Sequence, residues 1–285
     1  MSQFPQPPGG PEPPYRPFQQ YYEPVPPGPG RGRQGRRGFS GAVASGFMAV
    51  LAFLKYGGIL LLKLPLLPTL LSLAVSFGAY AVFFGPGFAF GILLMIFIHE
   101  MGHVVEIRRQ GMRATAPLFI PFMGAAIFQR SHPTNALRQA EIGIAGPIAG
   151  TIGATASFAL YGATQNPLFL LWAYLGFFVN LFNLIPLGML DGGWVLAVAS
   201  KWFQVFGLIA MVLAVMFIGF SPIILIIAII AIPTVIARFR NDQSPYYQSV
   251  PISARWAMGL AWLFLTGYLA YAALQAHDLL SGLVR

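Results

Sequence analysis

From residue 66 onward the chain is a succession of apolar runs, each about as long as the hydrocarbon core of a bilayer is thick. A spanning helix needs about 20 predominantly apolar residues. Spans are predicted at 66–84, 87–107, 138–162, 167–187, 203–219, 221–237 and 256–276. Charged residues make up only 9% of the chain, against about 25% in a soluble domain. The mean hydropathy of +0.68 agrees. The expected fold is an all-α polytopic membrane protein, integral and multi-pass, with about six to seven transmembrane helices embedded in the lipid bilayer.

A net charge of +9 raises the possibility of nucleic acid. The placement of the charges argues against it. Arg31, Arg33, Arg36 and Arg37 precede the first run, and most other cations fall between runs. With seven spans and a cytoplasmic N-terminus, Arg108, Arg109, Arg113, Arg130, Arg138, Lys201, Arg238, Arg240 and Arg255 all lie on the cytoplasmic side. The outward loops near 85, 163–166 and 220 carry no Lys or Arg. This is the positive-inside pattern, not a basic binding face.

The same pattern helps divide the chain. Residues 1–40 are rich in Pro, Gly and Gln. They cannot bury enough surface to offset their ordering entropy, so a disordered tail is expected, with a possible partner for its Pro-rich sequence. Segment 41–63 is apolar but carries Lys55 and Lys63. It is expected to be an interfacial or re-entrant amphipathic segment, because an eighth span would move the Arg-rich tail outside. Residues 64–200 form the candidate catalytic core, and 201–285 supply C-terminal transmembrane helices. Within the core, "ATAPLFIPFMGAAIFQR" (114–130) is too short to span, and Pro117, Pro121 and Gly124 interrupt helix. It is expected to be extended or re-entrant chain near the active site.

The second span ends on "HEMGH" (99–103). An ionisable residue at membrane depth is costly and marks function by default. On a helix, His99 and His103 lie about 40° apart and one turn from each other, so both imidazoles can reach one metal ion. Glu100 is rotated about 100° from His99, near the metal without being forced to bind it. Two His ligands and a Glu that takes a proton from water make the zinc-hydrolase arrangement. The bland alternative is a pair of His residues in polar contacts at a helix end. The chain has only 4 His, and two of them fall in this motif beside a Glu, which favours the metal. With no cysteine, thiolate ligands, thiol nucleophiles and disulfides are excluded.

A catalytic zinc needs a third protein ligand. Glu106 stands about 10.5 Å along the helix axis from His99, too far for ligand bonds of about 2 Å. It is expected to pair with Arg109 or Gln110. Glu141 is explained by Arg138 three residues earlier. Asp191 remains, in "NLFNLIPLGMLDGG", where Pro186 and Gly188 should unwind the end of a span. Capping of the next helix would explain the Asp. It would not explain Asn180, Asn183 and an unwound end in the same place. Spans 87–107 and 167–187 both run inward, so His103 and Asp191 are expected on the same, cytoplasmic side.

These motifs resemble the site-2 protease family of intramembrane metalloproteases, peptidase family M50. "HEMGH" fits the family's HExxH, and "NLIPLGMLDGG" fits its Asn-x-x-Pro…Leu-Asp-Gly segment. "GIAGPIAG" (143–150) is similar to the Gly- and Pro-containing stretch that lies between them. The likeness covers roughly 65–200. It implies one Zn2+ per chain held by His99, His103 and Asp191, Glu100 as general base, and Asn183 positioning substrate or stabilising the oxyanion. Asn180 and Asn183 would line the water path. The implied substrates are membrane-embedded segments of other proteins, often regulators of transcription or stress signalling. Two other readings carry different expectations. A catalytically silent scaffold could lose Glu100, which is present here. A membrane metal transporter should show polar residues along several spans, yet 203–237 and 256–276 are almost wholly apolar.

Overall fold

The computed structural model describes residues 66–188, 190–218 and 222–284. The tail 1–40 and the segment 41–63 lie outside the described residues. What is described is mostly helix, in the order α1 (Leu67–Phe84), α2 (Pro86–Arg109), β1 (Leu118–Ile120), β2 (Gly124–Ala126), α3 (Ala136–Thr164), α4 (Pro167–Asn183), α5 (Asp191–Ala199), α6 (Trp202–Ile218), α7 (Pro222–Arg240), α8 (Pro245–Gln248) and α9 (Ile252–Val284). Each of the seven apolar runs falls largely on a helix, the run 167–187 only as far as Asn183. Among the described residues α1, α2, α3 and α9 are long and apolar enough to cross a membrane, while α4 is apolar but has 17 residues.

Local chemistry sets the helix ends. Pro86 and Pro167 open α2 and α4, where a missing N–H removes nothing from the hydrogen-bond ladder. Asn135 Oδ1 accepts from Arg138 N at 3.0 Å, and Asn166 Oδ1 accepts from Leu168 N at 3.0 Å, capping α3 and α4. Gly85, at φ 86°, turns α1 into α2 through a backbone region that L side chains rarely adopt.

Helices α2, α3 and α4 pack on one another at the centre, with α5 against α3 and α9 against α4 and α5. Met95, Ala154, Leu170, Ala173 and Phe177 meet Leu269, Ala272 and Ala276 of α9 in the largest core cluster. In lipid, close packing of small residues replaces the hydrophobic force between helices. Gly176 shows this, because a Cβ there would stand 2.7 Å from Ala154 and 2.8 Å from Met95. Half of the apolar windows of α2 and α3 is buried (56% and 50%), against 11% in α1 and α9. The two motif-bearing helices are therefore interior, and α1 and α9 are peripheral.

The segment between α2 and α3 is extended, as its prolines require. It forms an antiparallel hairpin with Leu118 opposite Ala126 and Ile120 opposite Gly124, continued by a bridge between Ala114 and Gln129. From 114 to 118 is four residues and from 126 to 129 only three, so the first strand bulges by one residue around Pro117, which has no N–H to pair. The hairpin is tied to α1 by two side chains. Ser72 Oγ accepts from Phe119 N at 3.1 Å, and Tyr80 Oη accepts from Phe122 N at 3.1 Å.

Candidate metal centre

His99, Glu100 and His103 stand on the buried face of α2, at 3%, 7% and 7% exposure. Asp191, 7% exposed, comes from the first residue of α5. The helix cap there is Leu190, and no side chain caps α5. The Asp191 carboxylate points elsewhere, towards the two imidazoles. Its Oδ2 is 3.0 Å from His99 Nε2 and its Oδ1 is 3.3 Å from His103 Nε2. The two Nε2 atoms are 3.2 Å apart.

The other ring nitrogens fix what these close atoms are. Asn180 is fully buried, and its Nδ2 donates to Gly176 O at 2.7 Å. Its Oδ1 therefore faces His99 and can only accept, so His99 Nδ1 donates to it at 2.8 Å. His103 Nδ1 donates to the backbone O of Ile142 at 2.7 Å. With both Nδ1 atoms committed to protein acceptors, a neutral ring at either position presents a bare Nε2 lone pair. Both Nε2 atoms and the Asp191 carboxylate therefore converge on one place. Asp191 Oδ2 is buried without a hydrogen-bond donor, although His99 Nε2 lies 3.0 Å away. Such an arrangement calls for a cation. Tetrahedral legs of about 2 Å set donor atoms roughly 3.3 Å apart, close to the separations here, and an N, N, O donor set suits zinc. The residues present fit the metal that the motif implies.

Helix α3 makes room for this cluster. Gly143, Gly146 and Gly150 fall on one face at spacings of three and four residues. A Cβ on Gly146 would collide with the His103 imidazole, and one on Gly150 with the Asn180 amide. At Gly143 it would press to 3.1 Å from both Asp191 O and Trp194 Cβ. The "GIAGPIAG" stretch is thus the surface on which α2, α4 and α5 bring their polar groups together. Gly192 and Gly193 serve α5 in the same way, letting it fold back onto the carbonyls of Leu184 and Leu187.

The remaining sequence candidates fall as follows. Asn183 is half-buried, and its Nδ2 donates to Val179 O of its own helix at 3.0 Å. Asn180, expected along a water path, instead has both side-chain polar atoms engaged with protein. Glu106 accepts from Arg109 Nε at 2.6 Å and Gln110 Nε2 at 2.8 Å, and Glu141 accepts from Arg138 Nη1 at 3.2 Å. Both glutamates stand apart from the cluster of His99, His103 and Asp191, whose ligand atoms lie within 4.8 Å of one another. Sequence reasoning missed the Ile142 carbonyl, the tie between His99 and Asn180, and the role of the α3 glycines. Only the last left a signal, the helical spacing of three glycines.

A comparison with protein families bears on this geometry directly. Residues 87–167 match the model of peptidase family M50. The chain is similar to that family over this segment. The M50 segment spans nearly all of α2, the hairpin and all of α3, and so includes His99, Glu100, His103 and the glycine face. Asn180, Asn183 and Asp191 lie beyond it and are brought to it by the fold. M50 proteins are metallopeptidases, zinc-dependent in general, and the apolar helices agree with a membrane protein of that kind. No curated protein matches the chain.

Proposed function

We propose that this chain is an intramembrane zinc metalloprotease that hydrolyses peptide bonds within or near transmembrane segments of other membrane proteins. The observation that carries this reading is the convergence of the His99 and His103 Nε2 atoms with an unpartnered carboxylate oxygen of Asp191, beside Glu100. A zinc ion held by His99, His103 and Asp191 would supply Lewis acidity, polarising the scissile carbonyl and acidifying water toward a pKa of ~7. Glu100 takes the proton of the attacking water and delivers it to the leaving amine. Asn180 keeps His99 in the tautomer that leaves Nε2 bare. Asn183 lies one turn beyond Asn180 and positions substrate or stabilises the oxyanion, for which its amide must release Val179 O.

A peptide bond inside a helix is shielded, so the substrate must unwind before it is cut. The hairpin offers an edge for the unwound strand. The β1 edge is taken at Phe119, whose N–H already donates to Ser72. Phe119 is opposite Ala125, so this pair is the non-hydrogen-bonded one and the backbone groups of Ala125 point to the other edge. The β2 edge is therefore the proposed substrate edge. Six or seven crossings, with the N-terminus and the active site toward the cytoplasm, are proposed from the distribution of Arg and Lys.

The test is zinc content of the full chain purified in detergent, beside cleavage of single-span membrane reporters. Wild type should hold about one zinc per chain. Asp191→Ala should lose it or hold it far more weakly, and Glu100→Gln should keep zinc while releasing no fragment. Full zinc in Asp191→Ala would remove Asp191 from the ligand set. A folded wild type without zinc would point to a silent scaffold.

A further inference from the structure

The last carbonyls of a helix have no partner within it. In α5 the backbone N–H of Ser200 closes on Leu196 O at 3.0 Å, and beyond that the ladder ends. Two arginines from other helices take the next two carbonyls. Arg238, on α7, donates from Nε to Ala197 O at 3.0 Å. Arg255, on α9, donates from Nη1 to Val198 O at 3.2 Å. Two cations at this end also oppose the negative pole of the helix dipole.

Neither arginine is left to move freely. The Arg238 side chain is 2% exposed, and its Nη1 donates to Asp242 Oδ1 at 2.7 Å. The second oxygen of Asp242 accepts from Lys201 Nζ at 2.7 Å. The Arg238 guanidinium lies 3.8 Å from the centre of the Tyr247 ring. Arg255 donates to the backbone O of the same Tyr247 and, at 3.2 Å, to Val250 O. The turn 241–250 thus grips both guanidinium groups, and the guanidinium groups grip α5.

Helix α5 carries Asp191 at its other end. Ala197 is six residues on, about 9 Å along the axis. His99 and His103 stand on α2, while α5 packs on α3, α6 and α9. The separation between the carboxylate and the two imidazoles therefore depends on how α5 is held from behind. We propose that Arg238 and Arg255 are positioning residues of the metal centre, clamping the C-terminal end of α5 so that Asp191 meets the His pair. This rests on the reading of Asp191 as a metal ligand. It gives the segment after residue 200 a part in the chemistry, although that segment lies outside the M50 match.

The test is Co2+ titration of the full-length, detergent-purified apo-protein, read by affinity and by the visible spectrum, which reports ligand geometry. Arg238→Met and Arg255→Met should each weaken Co2+ binding about ten- to a hundredfold and alter the visible band, as loss of outer support for a ligand does. Arg238→Lys, which restores one donor, should recover part of the affinity. Wild-type affinity and spectrum in both Met variants would overturn the clamp, leaving the arginines merely structural. Asp191→Ala separates the two failures. If it binds Co2+ as wild type does, the ligand reading falls and the clamp with it. If it loses Co2+ while the Met variants do not, only the clamp falls. Should a Met variant not fold, Asp242→Asn loosens the grip on Arg238 without removing either arginine. It should weaken binding severalfold, and unchanged binding there would overturn the clamp as well.

Discussion

At the scale of single residues, metal binding needs two particular nitrogens free of protons. His99 Nδ1 donates to Asn180 Oδ1 at 2.8 Å, which leaves Nε2 bare in the neutral ring. In Asn180→Ala that proton loses its acceptor in a buried place, at a cost of about 1–3 kcal/mol. The ring can then turn or change tautomer. Zinc affinity is expected to fall about ten- to a hundredfold, measured by competition with a chromophoric chelator. Unchanged affinity would mean that packing alone holds His99. The convergence of His99 and His103 was legible in the sequence, because a four-residue spacing on a helix is enough to bring two imidazoles together. The Asn180 tie was not, because it joins positions 81 apart in sequence. Nor was the Ile142 carbonyl, since a backbone oxygen has no letter of its own.

At the scale of elements, prolines and glycines told more than apolar runs did. Pro117, Pro121 and Gly124 mark 114–130 as non-helical, and the segment is a hairpin. What they could not give is register, or which edge α1 covers, because that depends on Ser72 and Tyr80 reaching across from another element. The run 167–187 is helical only to Asn183, ending before Pro186 and the turn that returns the chain to Asp191. The hairpin carries its own prediction. Ala125→Pro removes the one N–H that β2 offers on its outer edge between Gly124 and Ala126. Cleavage of a membrane reporter should fall about tenfold or more, the scale of a lost backbone pairing of 1–2 kcal/mol, while zinc content stays at that of wild type. Cleavage at the wild-type rate would show that substrate does not pair with this edge.

At the scale of the whole molecule, one arrangement of crossings must satisfy both the charges and the metal site. Helices α2 and α4 are separated by α3, so they run the same way, and the ends that carry HEMGH and lead to Asp191 emerge on one face. The same face receives the Arg-rich stretch after α2 and the clamp at 238–255. The opposite face has the turn 163–166, without Lys or Arg. Under the proposed orientation, positive-inside placement would put the arginine pair and the candidate metal centre on the cytoplasmic side. Because the chain has no cysteine, one introduced thiol at a time tests this cleanly. Ala163 and Gln243 are both exposed, one at each end of the proposed arrangement. In intact cells a membrane-impermeant maleimide should label Ala163→Cys and reach Gln243→Cys only after permeabilisation. The reverse pattern would turn the protein over and place the site outside. Labelling of both in intact cells would put an even number of crossings between residues 163 and 243. Besides the nine-residue α5, three helices proposed to cross, α4, α6 and α7, separate those positions. One of them would then fail to cross. The 17-residue α4 is the first to suspect, because it is shorter than the roughly 20 residues that a crossing takes. An α4 that does not cross would still have to deliver Asp191 to His99 and His103, so the labelling pattern constrains the depth of the metal centre as well as its side.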